Sequence, residues 1–479
     1  MNCVLDGHDF RNEVFTIVQI FFPNVRPIFT HEVSDEGLSI KTSIHKDEIS
    51  ACVMEDGNKK SEHKLKASKN NLKHIKNRLQ IAVYTVLSDF TGIKSKWGIL
   101  IGIRPAKILR NLMEKGLTQK EIYDYMKSVY LCSDEKIDLS IKVAEKEKAI
   151  LSGNDGKDKS LYIGIPFCPT RCLYCSFTAY PIKKYESTTE PYLEALFKEM
   201  EYAKEYFAKS RLENIYIGGG TPTSLDEKSL EKLLYTIRTK FDFSYIKEFC
   251  VEAGRPDTIN KEKLKLFKKY NVSRISVNPQ TMNDKTLKLI GRRHSVSDFL
   301  NAYHLARGEG FDNINIDLIL GLPGEDMEDV SYTFNEIEKL SPKSVTVHTL
   351  AIKRASRLKE ELSSYNFVRM KEMEDFLHIA SSSMERLHLE PYYMYRQKNM
   401  VGNFENVGYA EKGYEGVYNV QIMEEKQDIL ALGAGATTKY VNLDTNRIER
   451  AFNVKEPLEY INRIDEMIER KKRLEEILC

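Results

Sequence analysis

The sequence predicts an α/β protein centred on a partial (β/α)6 barrel, with an N-terminal α+β domain before it and a C-terminal, mainly helical domain after it. Two patterns and one break predict this. Six short apolar runs alternate with helical patterns between about 161 and 355: LYIGIP (161–166), NIYIGG (214–219), EFCVEA (248–253), RISVN (274–278), INIDLIL (314–320) and SVTVHTL (344–350). Strand and helix in alternation imply parallel βαβ units. Between the first two runs, Leu193, Leu196, Phe197, Met200, Ala203 and Phe207 mark one face of a helix. The break is the polar stretch Ser152–Ser160, SGNDGKDKS, which has no apolar residue and reads as a linker. The expected domains are 1–155, 156–355 and 356–479.

In the first domain, alternation in VFTIVQIFF and in LSIKTSI predicts strands. From about Asn70 the pattern turns helical, with Leu72, Ile75, Leu79, Val83 and Val86 at helical spacing. In the last domain a helix is expected around Val368–Leu387, then an irregular Gly- and Tyr-rich segment over 392–441, then a charged helix from about Pro457 to Leu478.

Composition narrows the class. Of 479 residues, 42% are apolar, enough for a large core, and the net charge of +2 leaves no whole-chain footprint for nucleic acid. No run approaches the roughly 20 apolar residues of a membrane span. The opening MNCVLDGHDF lacks the basic and apolar regions of a signal peptide. Of eight cysteines, five are scattered (Cys3, Cys52, Cys132, Cys250, Cys479), while Cys168, Cys172 and Cys175 fall within eight residues. That distribution predicts a reducing, cytoplasmic setting with one dedicated sulfur site.

The three clustered thiols are spaced CxxxCxxC in IPFCPTRCLYC. Three thiolates on one short loop can ligate three irons of a [4Fe–4S] cubane and leave the fourth iron open. An amino acid can chelate that iron through its amine and carboxylate. S-adenosylmethionine held so sets its sulfonium beside the cluster, where one electron breaks the S–C5′ bond and releases a 5′-deoxyadenosyl radical. The competing reading is structural zinc, which wants four ligands. The next Cys or His residues, Cys250 and His294, are far along the chain.

The other unusual residues recur at the C-terminal ends of the predicted strands, where parallel barrels carry their sites. Gly218, Gly219 and Gly220 precede Thr221 and Pro222 after strand two, and consecutive glycines let backbone approach a ligand. Glu252 ends strand three and could accept bonds from ribose hydroxyls. Asn278 and Gln280 follow strand four, with Arg292 a dozen residues on. Asp317 stands inside INIDLIL, where a carboxylate is costly unless paired or functional. His348 in strand six fits a core role at least as well as a ligand role.

With IPFCPTRCLYC, GGGTP, VEAGRPDTI, VNPQTMNDKTLKLIGRRHS and IDLILGLPGE, the chain resembles the radical S-adenosylmethionine (radical SAM) family of oxygen-independent coproporphyrinogen III oxidases. The tail PYYMYRQKNMVGNFENVGYA and the leading WGILIGIRPAK look like its HemZ branch, the coproporphyrinogen dehydrogenases. By similarity, Tyr162, Gly219, Glu252 and a residue of the C-terminal segment would contact the S-adenosylmethionine on the cluster. Tyr174, Gly220, Thr221, Gln280, Arg292, Asp317 and Thr349 match positions for a second molecule of it. The implied reaction converts two propionates of coproporphyrinogen III to the vinyl groups of protoporphyrinogen IX in haem biosynthesis. It needs a reducing electron donor of flavodoxin or ferredoxin type.

The resemblance departs from the best-known oxidases at one position. They read CxxxCxxCxC, and the fourth Cys position here is Phe177, as in relatives that carry haem. Two alternatives therefore stay open: a haem-binding chaperone of the same fold, and a radical enzyme that modifies or opens haem. Tyr392, Tyr393, Tyr395, Arg396 and Lys398 could line a porphyrin site, with rings on the macrocycle and cations on propionates, or could simply pack the last domain. The run Lys59–Arg78, with eight Lys/Arg and one Glu, reads foremost as a solvated surface and secondarily as an attractor for acidic partners.

Overall fold

Contacts within the fold divide the chain into two compact units, Met1–Lys142 with Arg396–Phe404, and Val143–Tyr395 with Glu405–Cys479. The computed structural model describes all residues except 24, 67–70, 103, 154–155, 178, 352–355, 357, 359–369, 397–403, 444, 446 and 479.

In the first unit β1 (Asn2–Asp6), β2 (Ile28–Thr30), β3 (Leu38–His45), β4 (Glu48–Glu55) and β5 (Asn58–Lys66) form a sheet in the order β2-β1-β3-β4-β5. LSIKTSI is a strand, as expected, but VFTIVQIFF is not. It lies in a helix, Arg11–Phe21, that buries Val14, Ile17, Val18, Ile20 and Phe21. Val14, Ile17, Val18 and Phe21 recur at i, i+3, i+4 and i+7, a helical stripe that overrides the strand preference of β-branched residues. The helix Leu72–Thr91 matches the expectation, opened by Asn71, whose side chain accepts from His74 N, and closed by Gly92 at φ 71°. Both helices and the inner face of the sheet share one core that includes Val18, Ile40, Val53 and Val83. Each such side chain contributes roughly 1.5–3 kcal/mol on leaving water.

The second unit is organised by β6 (Asp158–Ile165), the short pair β7 (Phe167–Cys168) and β8 (Tyr180–Pro181), β9 (Arg211–Gly219), β10 (Glu248–Val251), β11 (Arg274–Ser276), β12 (Ile314–Leu320) and β13 (Ser344–Thr349). The neighbours β6-β9-β10-β11-β12-β13 pair in parallel and in chain order, as a (β/α)6 half-wound barrel requires. The linker expected at Ser152–Ser160 ends early, because β6 starts at Asp158. Its polar residues are satisfied there: Asp158 pairs with Arg211 at 2.7 Å and Lys159 with Asp428 at 2.6 Å.

The segment expected to be irregular, 392–441, instead carries regular structure. β14 (Glu390–Tyr395), β15 (Asn406–Ala410), β16 (Ile429–Leu432), β17 (Thr437–Asn442) and β18 (Arg447–Phe452) extend the same sheet to eleven strands, with a helix at Val417–Glu424. β15 runs antiparallel to β13, and β16 runs parallel to β6 as a seventh parallel strand. The barrel region 156–355 and most of 356–479 thus belong to one unit. The helix expected near Val368–Leu387 is Met370–Arg386, and the terminal helix Ile464–Leu478 packs behind the sheet. That last helix is pinned by Lys471, whose ammonium lies 2.6 Å from Glu199, both side chains fully buried. Glu199 also accepts from Gly433 N, Asn453 and Tyr460. Among the described residues, no helix is long and apolar enough to cross a membrane.

Candidate active site

Every parallel strand ends on the same rim, and the loops that follow carry the residues singled out in the sequence. β6 leads into the cysteine loop. Cys168 and Cys172 are buried and Cys175 is half-buried. Burial pushes the free Cys168 thiol up to about 12; an iron ligand is deprotonated outright by the metal. Cys168 Sγ lies 3.3 Å from Thr221 Oγ1, which joins the cysteine loop to the glycine loop after β9. Gly220 N donates to Ile165 O and Thr221 N to Phe167 O. A Cβ on Gly220 would stand 2.6 Å from Phe167 O and 3.0 Å from Cys168 Sγ, so glycine is required for this approach. Gly219, at φ 108°, needs its freedom of backbone as well.

The donor set, three cysteines on one loop, fits the three protein ligands of a [4Fe–4S] cluster. Among the described residues no three His, Cys, Asp or Glu side chains converge as they would on one metal ion. The three protein ligands of a [4Fe–4S] cluster serve three different irons, so they stand further apart than the ligands of one zinc. Cys250 lies buried within β10, away from the loop.

Two carboxylates face the barrel interior. Glu252 follows β10 and is held beside Tyr216 and Gly219; burial and the neighbouring Asp317 push its carboxyl up to about 8. A Cβ on Gly218 would meet Glu252 Oε2 at 2.8 Å, so the glycine makes room for that carboxyl. Burial also opposes ionisation of Asp317, but His348, Asn315 and Thr346 outweigh it and hold the group below its usual range. Asp317 accepts from Asn278 Nδ2 at 2.8 Å and Asn315 Nδ2 at 2.7 Å, with His348 Nε2 at 3.7 Å. Arg292 donates to Asn278 O at 2.6 Å and to Tyr174 OH at 3.2 Å. Gln280 takes φ 73° and closes on Asp317 O through its own N–H.

Tyr174, Asn278, Gln280, Arg292 and Asp317 thus form one connected network, and Gly218, Gly219 and Glu252 another beside it. Tyr162 stacks on Tyr216 and Tyr418, whose own rings lie 4.6 Å apart. The remaining candidates are less uniform. Thr349 is buried and its hydroxyl is taken by Glu405 O at 2.9 Å. Tyr395, at the end of β14, reaches His348 Nδ1 at 3.3 Å. Arg396 departs from the substrate role expected for it. It belongs to the first unit, is almost fully buried there, donates to Leu100 O at 2.5 Å and lies 4.8 Å over the Trp97 ring. Lys398 lies outside the described residues.

Two features escaped the sequence reading. Gly433–Ala436 follows β16, against Gly164 of β6; the run of small residues in LGAGA was the available signal. Arg255, three residues past Glu252, donates toward Cys172 Sγ. The dipeptide RP in VEAGRPD, just beyond a strand end, marked the place without naming a role.

Comparison with known proteins agrees with this geometry. The radical SAM superfamily profile matches residues 162–337. The oxygen-independent coproporphyrinogen-III oxidase-like protein HemZ of Bacillus subtilis is 42% identical over 85% of this chain and 83% of its own length. The heme chaperone HemW of the same organism is 34% identical over 58% of this chain and 70% of its own. The crystal structure of coproporphyrinogen III oxidase (HemN) from Escherichia coli superposes with a TM-score of 0.50 at 21% identity, over 68% of this chain and 73% of that one, and so shares the fold. A cysteine loop on the rim of a parallel barrel and a whole-chain relative of this kind lead to one assignment: the chain belongs to the radical SAM family of oxygen-independent coproporphyrinogen III oxidases, on its HemZ branch, with a [4Fe–4S] cluster and S-adenosylmethionine as cofactors.

Proposed function

We propose that the protein oxidatively decarboxylates two propionates of coproporphyrinogen III, without oxygen, to give protoporphyrinogen IX. The carrying observation is the 42% identity to HemZ, which runs through both units and not only the barrel. When bound, the cluster and S-adenosylmethionine supply the radical that takes a hydrogen atom from the propionate β-carbon. Loss of CO2, with transfer of the remaining electron to an external one-electron acceptor, would then leave a vinyl group.

The chain's own residues do the holding. Cys168, Cys172 and Cys175 are the proposed cluster ligands. The glycines 218–220, which allow the close approach of the cysteine loop and of Glu252, are proposed to border the methionine part of the cofactor. Glu252 and Tyr162 are proposed for its ribose and adenine side. Tyr174, Thr221, Gln280, Arg292 and Asp317 are proposed to hold a second S-adenosylmethionine; Thr349 would take part through groups other than its engaged hydroxyl. Tyr395 is the remaining candidate for the substrate: from β14 it reaches His348 of β13, which in turn approaches Asp317.

The haem-chaperone reading has its own support. Phe177 occupies the fourth cysteine position and is 67% exposed, and the HemW relatives are chaperones by name. Anaerobic incubation with coproporphyrinogen III, haem, S-adenosylmethionine and a reductant separates the two. The expected result is protoporphyrinogen IX through a mono-vinyl intermediate, since each radical event serves one propionate. Tight haem binding with coproporphyrinogen returned unchanged would replace the oxidase reading with the chaperone.

A further inference from the structure

Arg255 is 3% exposed, and a guanidinium in the protein interior must be paired on every edge to stay there. One edge is paired bidentately: Nε and Nη2 donate to the two carboxylate oxygens of Asp257 at 2.9 and 3.0 Å. The other edge faces the cysteine loop. Nη1 donates to Thr170 Oγ1 at 3.1 Å and stands 3.8 Å from Cys172 Sγ, within hydrogen-bonding reach of sulfur. Thr170 in turn donates to Gly291 O at 3.2 Å, beside Arg292 of the cofactor network. The fork on Asp257 fixes the plane of the guanidinium, so its cationic edge is aimed at the sulfur and cannot swing away.

We infer that Arg255 is a positioning residue that raises the reduction potential of the cluster, by directing a charged hydrogen-bond donor at the Cys172 sulfur. Reduction adds one electron to the cluster, spread onto its ligand sulfurs. A cationic donor on such a sulfur stabilises the reduced form more than the oxidised one, and hydrogen bonds and net charge near the sulfurs are the protein's main controls on cluster potential. Asp257 acts in the opposite sense, since its carboxylate partly offsets the cation. The inference rests on cluster ligation by Cys168, Cys172 and Cys175, and not on which tetrapyrrole is the substrate.

The test is a redox titration of the anaerobically reconstituted full chain, followed by the electron paramagnetic resonance signal of the reduced cluster. Iron content is measured first. If the unmodified protein does not hold about four irons per chain, the cluster assignment itself is wrong. With iron content intact, Arg255→Gln should shift the midpoint to more negative potential, Arg255→Lys should shift it less, and Asp257→Asn should shift it to more positive potential. Opposite signs at two residues in contact are not what a merely loosened loop produces. The inference is overturned if Arg255→Gln keeps its iron and the unmodified potential. It is overturned equally if both substitutions shift the potential the same way, or if Arg255→Gln and Arg255→Lys both lose the cluster, which would make Arg255 a structural pin.

Discussion

Glu252 sits where enclosure and a neighbouring carboxylate both oppose its ionisation, and its carboxyl rises from an ordinary 4.5 to about 8. Between those values the unfolded chain has released the proton and the folded protein keeps it. The unfolded state therefore binds fewer protons, and the cofactor-free protein loses stability as pH rises from about 5 to about 8, by a few kcal/mol at most. Glu252→Gln removes that titration. Its thermal midpoint should fall less than that of the unmodified protein between pH 5 and pH 8, while reconstituted iron content stays the same and S-adenosylmethionine binding weakens. Parallel decline of both proteins across that range would show that another group governs the pH effect. The same residue shows what a sequence discloses. The three cysteines stand out by their spacing, Glu252 by its place at a strand end, and Asp317 because a carboxylate inside an apolar strand is costly without a purpose. Arg396 reads as a propionate anchor because it is a cation beside a run of tyrosines, yet it is stacked on Trp97 within the first unit, which its chain position next to β14 does not disclose.

Elements differ in how plainly they announce themselves. The six barrel strands are legible because each is buried on both faces and reads as an apolar run. The helix Arg11–Phe21 was misread because its β-branched residues satisfy a strand pattern over a few residues, and only the buried stripe from Val14 to Phe21 decides. The strands β14–β18 were missed because they are only four to six residues long, too short for periodicity, and β14, β15 and β17 are rich in Tyr, Gly or Thr. What fixes the last helix is equally invisible along the chain: Glu199 and Lys471 are 272 residues apart and form a fully buried pair. Lys471→Met should therefore destabilise the protein by about 3–5 kcal/mol, since it strands a buried carboxylate. The double variant Glu199→Gln, Lys471→Met should recover part of that loss in denaturant unfolding. A Lys471→Met protein as stable as the original would mean that the pair contributes nothing to docking the helix.

At the scale of the whole molecule, a parallel sheet gathers loops that are distant in sequence onto one rim, and the chemistry depends on that gathering. The cysteine loop after β6, the glycine loop after β9, Glu252 after β10 and Asp317 within β12 come from four separate βα units. The loop after β11 joins them, and hydrogen bonds between units, from Thr221 on Cys168 to Asn278 on Asp317, link the loops of the rim. This rim is proposed to open S-adenosylmethionine by one-electron reduction. The measurement that bears on it most directly is formation of 5′-deoxyadenosine by the anaerobically reconstituted protein with dithionite as reductant. The unmodified chain should produce 5′-deoxyadenosine and methionine, and the triple variant Cys168→Ala, Cys172→Ala, Cys175→Ala should produce neither. Undiminished 5′-deoxyadenosine from the triple variant would contradict the account at its root.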